Sequence, residues 1–370
     1  MKKVILIKSE LFKQGGLEKY TWQLARDFCA LGCDITVLTS GEVNAPFAHP
    51  QLKVVSFPIA HILSVFNVMH FDRACSNYLA DNPSPIVFSL DRNRLQTHIR
   101  AGNGVHAAYL DRRAKEEGFA KKVSFALNPL HRAILALERK GFEDSGLRIL
   151  FTNSFMVKEE ILRYYYTDPS KIQVIHNGVE WHALQDKFDV WESKREDAFQ
   201  FLFIGHNFAR KGLDKLLAAL ALIKQEHFHL SVVGKDKNSA YFEELAMQLG
   251  LAEKVTFFGP QKETTAFYQR ADCLVVPSLY DPFANVTVEA LAMGLFTLSS
   301  KGNGGHEILT PKNGDVIESI DDPVWFSNHL RKALNFKKTA ASAQVIRESV
   351  KHLDFSQQLR KMTTATLEAV

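Results

Sequence analysis

Short apolar runs alternate along this chain with longer runs of helical period. Val4–Lys8 (VILIK) reads as a strand, and 16–32 (GLEKYTWQLARDFCALG) carries its apolar residues at helical spacing. The β-rich runs DITVLTS, KVVSF and IVFSL follow, then LRILFTNS (147–154) and KIQVIHNGV (171–179). Past Val179 the pattern lapses in EWHALQDKFDVWESKREDA, which reads as a linker region. The alternation then restarts: FQFLFIG, the helical GLDKLLAALALIKQ, FHLSVVG, the helical AYFEELAMQLG, KVTFFG, the helical TTAFYQRA and CLVVPS. Strand–helix–strand repetition implies a parallel sheet with right-handed crossovers. The expected architecture is α/β: two Rossmann-like domains, 1–178 and 179–354, facing a central cleft, with ligands at the carboxyl ends of the strands. Phe355, Leu359, Met362 and Val370 lie near one face of a last helix, 355–370, expected to pack back on the first domain.

At 370 residues and 46% hydrophobic, the chain has ample material for two cores. Cys29, Cys33, Cys75 and Cys273 form no C-x-x-C pair and no metal-like spacing with histidine, so buried free thiols in a reducing compartment are expected. The basic start MKKVILIK has too short an apolar run for a signal peptide, and no stretch approaches the ~20 apolar residues of a membrane span. A cytoplasmic protein, peripheral at most, is the expectation. The net charge of +4 is uneven, with +6 on residues 1–178 and −2 on the rest. Within the basic half, 111–140 carries eight basic and four acidic residues. That bias points either to an anionic acceptor or membrane leaflet, or to an ordinary solvated helix surface.

Four stretches could carry chemistry. KQGGLEKY places Gly15 and Gly16 after the first strand, where a backbone can approach a phosphate at a helix N-terminus. AGNGVHA fits G-x-G-x-x-A but follows no first strand, so it reads as a false dinucleotide fingerprint. Its His106 is either a structural ring or a ligand contact. FIGHNFARKGLDKLL ends a strand at Gly205 and sets Arg210 and Lys211 at the turn into a helix, a cradle for a diphosphate. DPFANVTVEALAMG puts Asp281 in a loop and Glu289 about one turn into the next helix. Carboxylates there can accept hydrogen bonds from sugar hydroxyls. The competing reading of Glu289 is a buried structural salt bridge. No D-x-D occurs in the chain.

With these motifs in view, the chain resembles the GT-B retaining glycosyltransferases of family 4, and among them the lipopolysaccharide core glucosyltransferases. DPFANVTVEALAMG stands where that family has E-x7-E, with Asp281 in the first acidic place and Glu289 in the second. GGLEKY, VIHNGVE, GHNFARKGLD and GNGGHEI are similar to its other motifs. The resemblance implies a nucleotide-sugar donor, a glycan or glycolipid acceptor, and no metal or other cofactor; no nucleic acid is expected as a partner. It implies that Arg210 and Lys211 hold the diphosphate, with Gly205 at the strand end beside them. Gly15 and Gly16 approach from the first domain, and Glu289 binds the ribose. Asp281 meets the sugar and its developing positive charge. The amides of Phe283, Ala284, Asn285 and Val286 grip sugar and phosphate, and His106 contacts the sugar near the reacting carbon. Asp281 departs from the family's Glu and is one methylene shorter. Two other functions fit the same sequence: a sugar-nucleotide epimerase of this fold, and a non-catalytic sugar-nucleotide or membrane-surface binding protein.

Overall fold

The computed structural model describes residues 2–11, 16–41, 43, 45–59, 63–189 and 198–369. The chain divides into two compact units, Met1–Ile175 with Leu359–Val370, and His176–Gln358.

The first unit holds seven strands: β1 Lys3–Ile7, β2 Asp34–Ser40, β3 Leu52–Phe57, β4 Ile86–Ser89, β5 His98–Arg100, β6 Ile149–Thr152 and β7 Ile172–Val174. They pair in the order β3-β2-β1-β4-β5-β6-β7, all parallel. Strands covered on both faces lose the period-two alternation, and β4 and β6 (IVFS, ILFT) are buried at every residue. The helix Gly16–Ala30 buries Trp22, Leu24, Ala25 and Phe28. The C-terminal segment is tied to this unit by polar contacts. Thr363 Oγ1 donates to Asp27 Oδ2 at 2.6 Å, and Lys2 Nζ to the Leu367 carbonyl at 2.6 Å.

The second unit holds β8 Phe199–His206, β9 Phe228–Lys235, β10 Val255–Gly259, β11 Cys273–Val276, β12 Phe296–Ser300 and β13 Gly314–Ile317. Their order is β10-β9-β8-β11-β12-β13, again all parallel. In both sheets the winding reverses at one point, between β1 and β4 and between β8 and β11. In open parallel sheets the loops on either side of such a reversal diverge and leave a crevice at the carboxyl ends.

Of the stretch 180–198 expected to be linker, residues 180–189 instead belong to the second unit, and 190–197 lie outside the described residues. Trp181 and Phe188 are buried, and Trp181 Nε1 donates to the Arg347 carbonyl at 3.1 Å. Arg347 is itself buried, its guanidinium 4.1 Å from the Trp181 ring centroid, and donates to the Trp181 carbonyl at 2.7 Å. All four cysteines are buried free thiols. No helix of the described residues is long and apolar enough to cross a membrane.

Candidate donor site

The crevice of the second sheet is built by the loops after β8, β11 and β12, and glycines let them meet. Gly212 has φ +72°, and a Cβ there would lie 2.0 Å from the Pro277 carbonyl oxygen. A Cβ on Gly302 would lie 2.3 Å from the Ser278 carbonyl oxygen. The loops are then stitched by backbone bonds: Leu279 N to Arg210 O at 3.0 Å, Asp281 N to Gly302 O at 2.8 Å, and Gly304 N to Asp281 O at 2.9 Å.

Arg210 and Lys211 stand on the first loop, ahead of the helix Leu213–Ala221. Gly205 is where Lys211's stem lies: a Cβ on that glycine would meet Lys211 Cγ at 3.1 Å. Gly205 thus seats the lysine side chain. Lys211 Nζ donates to Asp281 Oδ2, with only 11% and 14% of the two side chains exposed. Arg210 NH1 donates to the Tyr280 carbonyl at 2.8 Å and lies 3.5 Å from the same Asp281 oxygen. Asp281 Oδ1 accepts the Phe283 amide at 3.2 Å, an Asx-type turn that suits a side chain of this length. The two cations and Asp281 therefore form one cluster, where the sequence had suggested separate partners for each.

The helix Asn285–Ala292 begins beside this cluster. The amides of Phe283 and Ala284 are already used, by Asp281 Oδ1 and by Asn303 Oδ1 at 2.8 Å. Their side chains are buried in the core. Asn285 and Val286 hold the first helical positions, whose N–H groups the helix cannot pair. Sequence reading missed Asn303, which holds the arrangement together. Its buried amide also accepts from Gly305 N at 3.0 Å and donates to Thr287 Oγ1 at 3.0 Å and Ser299 Oγ at 2.9 Å. That exhausts the hydrogen-bonding capacity of an Asn side chain. A polar residue one position before a Gly-Gly was the available signal. Glu289, one turn further and half-buried, accepts the Tyr268 hydroxyl at 2.8 Å. Burial, and then Glu289's charge, push the Tyr268 hydroxyl well above its usual range, so it stays a donor.

In the first unit, Gly15 lies outside the described residues. Gly16 opens the first helix, and a Cβ there would meet nothing within 4 Å. His106 opens the helix His106–Glu117. Its Nε2 is 3.1 Å from His131 Nδ1, and burial, aided by Arg92, lowers its pKa to about 4. The ring is neutral near pH 7 and acts there as a hydrogen-bonding group. The preceding glycines serve the fold: a Cβ on Gly102 would lie 2.0 Å from Arg100 NH1, and Gly104 has φ +71°. Buried Glu138, also missed, accepts the His106 amide at 2.9 Å, the Arg92 Nε–H at 2.8 Å and the Tyr165 hydroxyl at 2.5 Å. It sits in LALERK, which reads as an ordinary amphipathic helix.

Among the described residues no group of three His, Cys, Asp or Glu is placed to hold a metal ion.

Comparison with known proteins agrees with the fold and the motifs. Residues 14–181 match the family Glycosyltransferase Family 4, and 185–348 match Glycosyl transferases group 1. The lipopolysaccharide glucosyltransferase WaaG of Escherichia coli (strain K12) is 26% identical over 337 residues, covering 87% of each chain. A crystal structure of WaaG, described as involved in lipopolysaccharide biosynthesis, superposes with TM-score 0.75 at 23% identity over 99% of both chains. Anabaena Alr3699/HepE in complex with UDP-glucose gives 0.70 at 15% identity, covering 100% of both. The chain belongs to the glycosyltransferases of the GT-B type, a family 4 domain followed by a group 1 domain.

Proposed function

We propose that this glycosyltransferase moves glucose from UDP-glucose to a hydroxyl of an anionic glycan or glycolipid, of the lipopolysaccharide-core kind, with retention at the anomeric carbon. The observation that carries this reading is the pair Arg210 and Lys211 beside the unpaired amides of Asn285 and Val286, at the reversal of the second sheet. Such a cluster of fixed positive ends suits a diphosphate leaving group. The donor choice is supported by the HepE complex with UDP-glucose and by WaaG's own activity.

In this reading the anomeric C–O bond to the diphosphate breaks while the acceptor oxygen bonds to the same carbon on the same face. The acceptor's proton passes to the departing phosphate oxygen. Arg210, Lys211 and the helix amides stabilise the growing negative charge. Glu289 holds the ribose, Asp281 flanks the sugar, and Gly15, Gly16 and His106 keep their family roles. No metal takes part: the two side-chain cations supply the charge that a divalent ion would otherwise bring.

Product analysis with UDP-glucose and a core glycolipid in excess EDTA tests the proposal. Transferred glucose with retained configuration is expected. Activity lost in EDTA and restored by Mg²⁺ or Mn²⁺ overturns the metal-free mechanism. Isomerised UDP-glucose, or no product, overturns the transferase assignment to this donor and acceptor. In thermal shift, UDP-glucose and UDP should raise the midpoint, since a ligand that binds only the folded state stabilises it.

Reaction at the cytoplasmic face of the inner membrane is part of the proposal, and the helix Phe119–Leu127 supports it. None of its residues is buried. Phe119 and Leu127 are 80% and 72% exposed and share a face with exposed Val123 at i, i+4, i+8. Lys121 and Lys122 are both exposed. Arg112 and Arg113 are bridged to Glu160 and Glu117, and Lys121 lies 3.8 Å from Glu117 with over half of its side chain exposed, so Lys122 and the loosely paired Lys121 are the better candidates for an anionic surface. An apolar row flanked by lysines suits the headgroup boundary of an anionic leaflet. Replacing Phe119 and Leu127 by Ser and Lys121 and Lys122 by Gln should weaken binding to anionic vesicles by roughly tenfold or more, at about 1 kcal/mol per lysine before the apolar loss. Equal binding by the unmodified protein to anionic and neutral vesicles, in co-sedimentation, would leave the row a plain solvent-facing surface.

A further inference from the structure

We propose that Asp281 is the internal counter-ion of the diphosphate cradle, and that donor binding proceeds by exchange at Lys211 and Arg210. The diphosphate takes the cations, and the freed carboxylate oxygen turns to the sugar. This rests on the donor-site reading above and adds a step to it.

The geometry is specific. Asp281 Oδ2 accepts from Lys211 Nζ and lies 3.5 Å from Arg210 NH1, so one oxygen occupies the position where an anion would meet both cations. The lysine's stem is fixed against Gly205, and the arginine is held by the Tyr280 carbonyl. The cations thus stay in place whichever anion they serve. Asp281's backbone is locked between Gly302 and Gly304, and its other oxygen caps the Phe283 amide. One oxygen is therefore anchored and the other is exchangeable, within a loop that need not move.

Two consequences follow from charge alone. Without ligand, the carboxylate offsets the mutual repulsion of two cations whose side chains are only 31% and 11% exposed, preserving the cradle empty. With ligand, the same carboxylate competes with the diphosphate, and every bound anion must displace it. Tight product binding is thereby reduced, because a departing nucleoside diphosphate is replaced from within the site. The shorter Asp in place of the family's Glu suits such an exchange, since it can cap its own turn and still reach Lys211.

The sign of the expected effect is unusual for a site residue. Asp281→Asn keeps shape and the oxygen that accepts from Phe283, but removes the competing charge. It should bind UDP and inorganic pyrophosphate roughly three- to tenfold more tightly than the unmodified protein, the scale of one part-exposed ion pair. Sugar transfer by the same variant should fall. Asp281→Ala, which removes both oxygens, should also tighten pyrophosphate, and covers the case that an Asn amide repels Lys211. Calorimetric titration of the three proteins with each probe gives the comparison. Unchanged or weaker binding of both probes by both variants overturns the exchange, and so does failure of pyrophosphate to bind any of the three. Tighter binding without glucose transfer by the unmodified protein supports the exchange and overturns the proposed reaction. Transfer without tightening does the reverse.

Discussion

Lys211→Ala should cost about 2–4 kcal/mol of transition-state stabilisation, the scale lost when one preorganised charge stabiliser is removed. The loss should fall on turnover at saturating donor as well as on kcat/KM, because charge on the leaving diphosphate is larger in the transition state than in the bound donor. Arg210 cannot compensate fully: its NH1 is held by the Tyr280 carbonyl, and it lies farther from Asp281 than the lysine does. The substitution also leaves Asp281 with a weaker counter-charge, so a carboxylate faces the diphosphate with one cation gone. The fold should survive. Lys211 contributes a stem laid over Gly205, while Leu213, Leu216, Leu217 and Leu220 carry the helix packing. Steady-state kinetics with UDP-glucose, beside a thermal midpoint for the variant, separates the two effects. Turnover near that of the unmodified enzyme would place the diphosphate elsewhere.

The parts of this molecule legible in the sequence are those whose physics is local. β1, β2, β8, β9 and β11 announce themselves as apolar runs because both faces of a central parallel strand are covered. Three strands did not. β5 carries buried His98 and Arg100, which pack on the rings of Phe88 and Tyr20, neighbours that no window of sequence contains. β12 and β13 (FTLSS, GDVI) interleave apolar with polar residues, and the burial of all of β12 and of Gly314 and Ile317 in β13 arises only when the sheet assembles. The site shows the same division. Arg210, Lys211, Asp281 and Glu289 were visible because a charge at a strand-to-helix turn is locally odd. That Asp281 pairs with Lys211 was not visible, since it depends on two loops meeting across the sheet reversal through Gly212 and Gly302. Asn303 was hidden because an Asn in a glycine-rich loop is also what an ordinary turn would use.

Glu138 is the extreme case of a residue whose role is entirely tertiary, and its removal should be the most damaging single change in the first unit. Each partner found for its carboxylate is a donor: Arg92 Nε–H, the amides of His106 and Ala107, and the Tyr165 hydroxyl. Glu138→Gln keeps the volume but puts an NH₂ group among those donors, so the amide can satisfy only half of them. Breaking a buried charge pair costs about 3–5 kcal/mol, and the lower end applies here because the Arg92 side chain, 23% exposed, can recover some water. Burial, the larger cause of the raised Tyr165 hydroxyl, persists in the variant after Glu138's charge is gone, so that phenol stays a donor. The damage should begin at the start of the helix His106–Glu117, whose first two amides lose their shared acceptor. Hydrogen exchange should therefore quicken at His106 and Ala107 before the strands of the first sheet, and a melt should show a lowered midpoint. Because His106 leads that helix, donor turnover should fall while UDP binding to the second unit persists. Unfolding of Glu138→Gln at the unmodified midpoint, with unchanged exchange at those two amides, would mean that the carboxylate's charge is not what holds this helix in place.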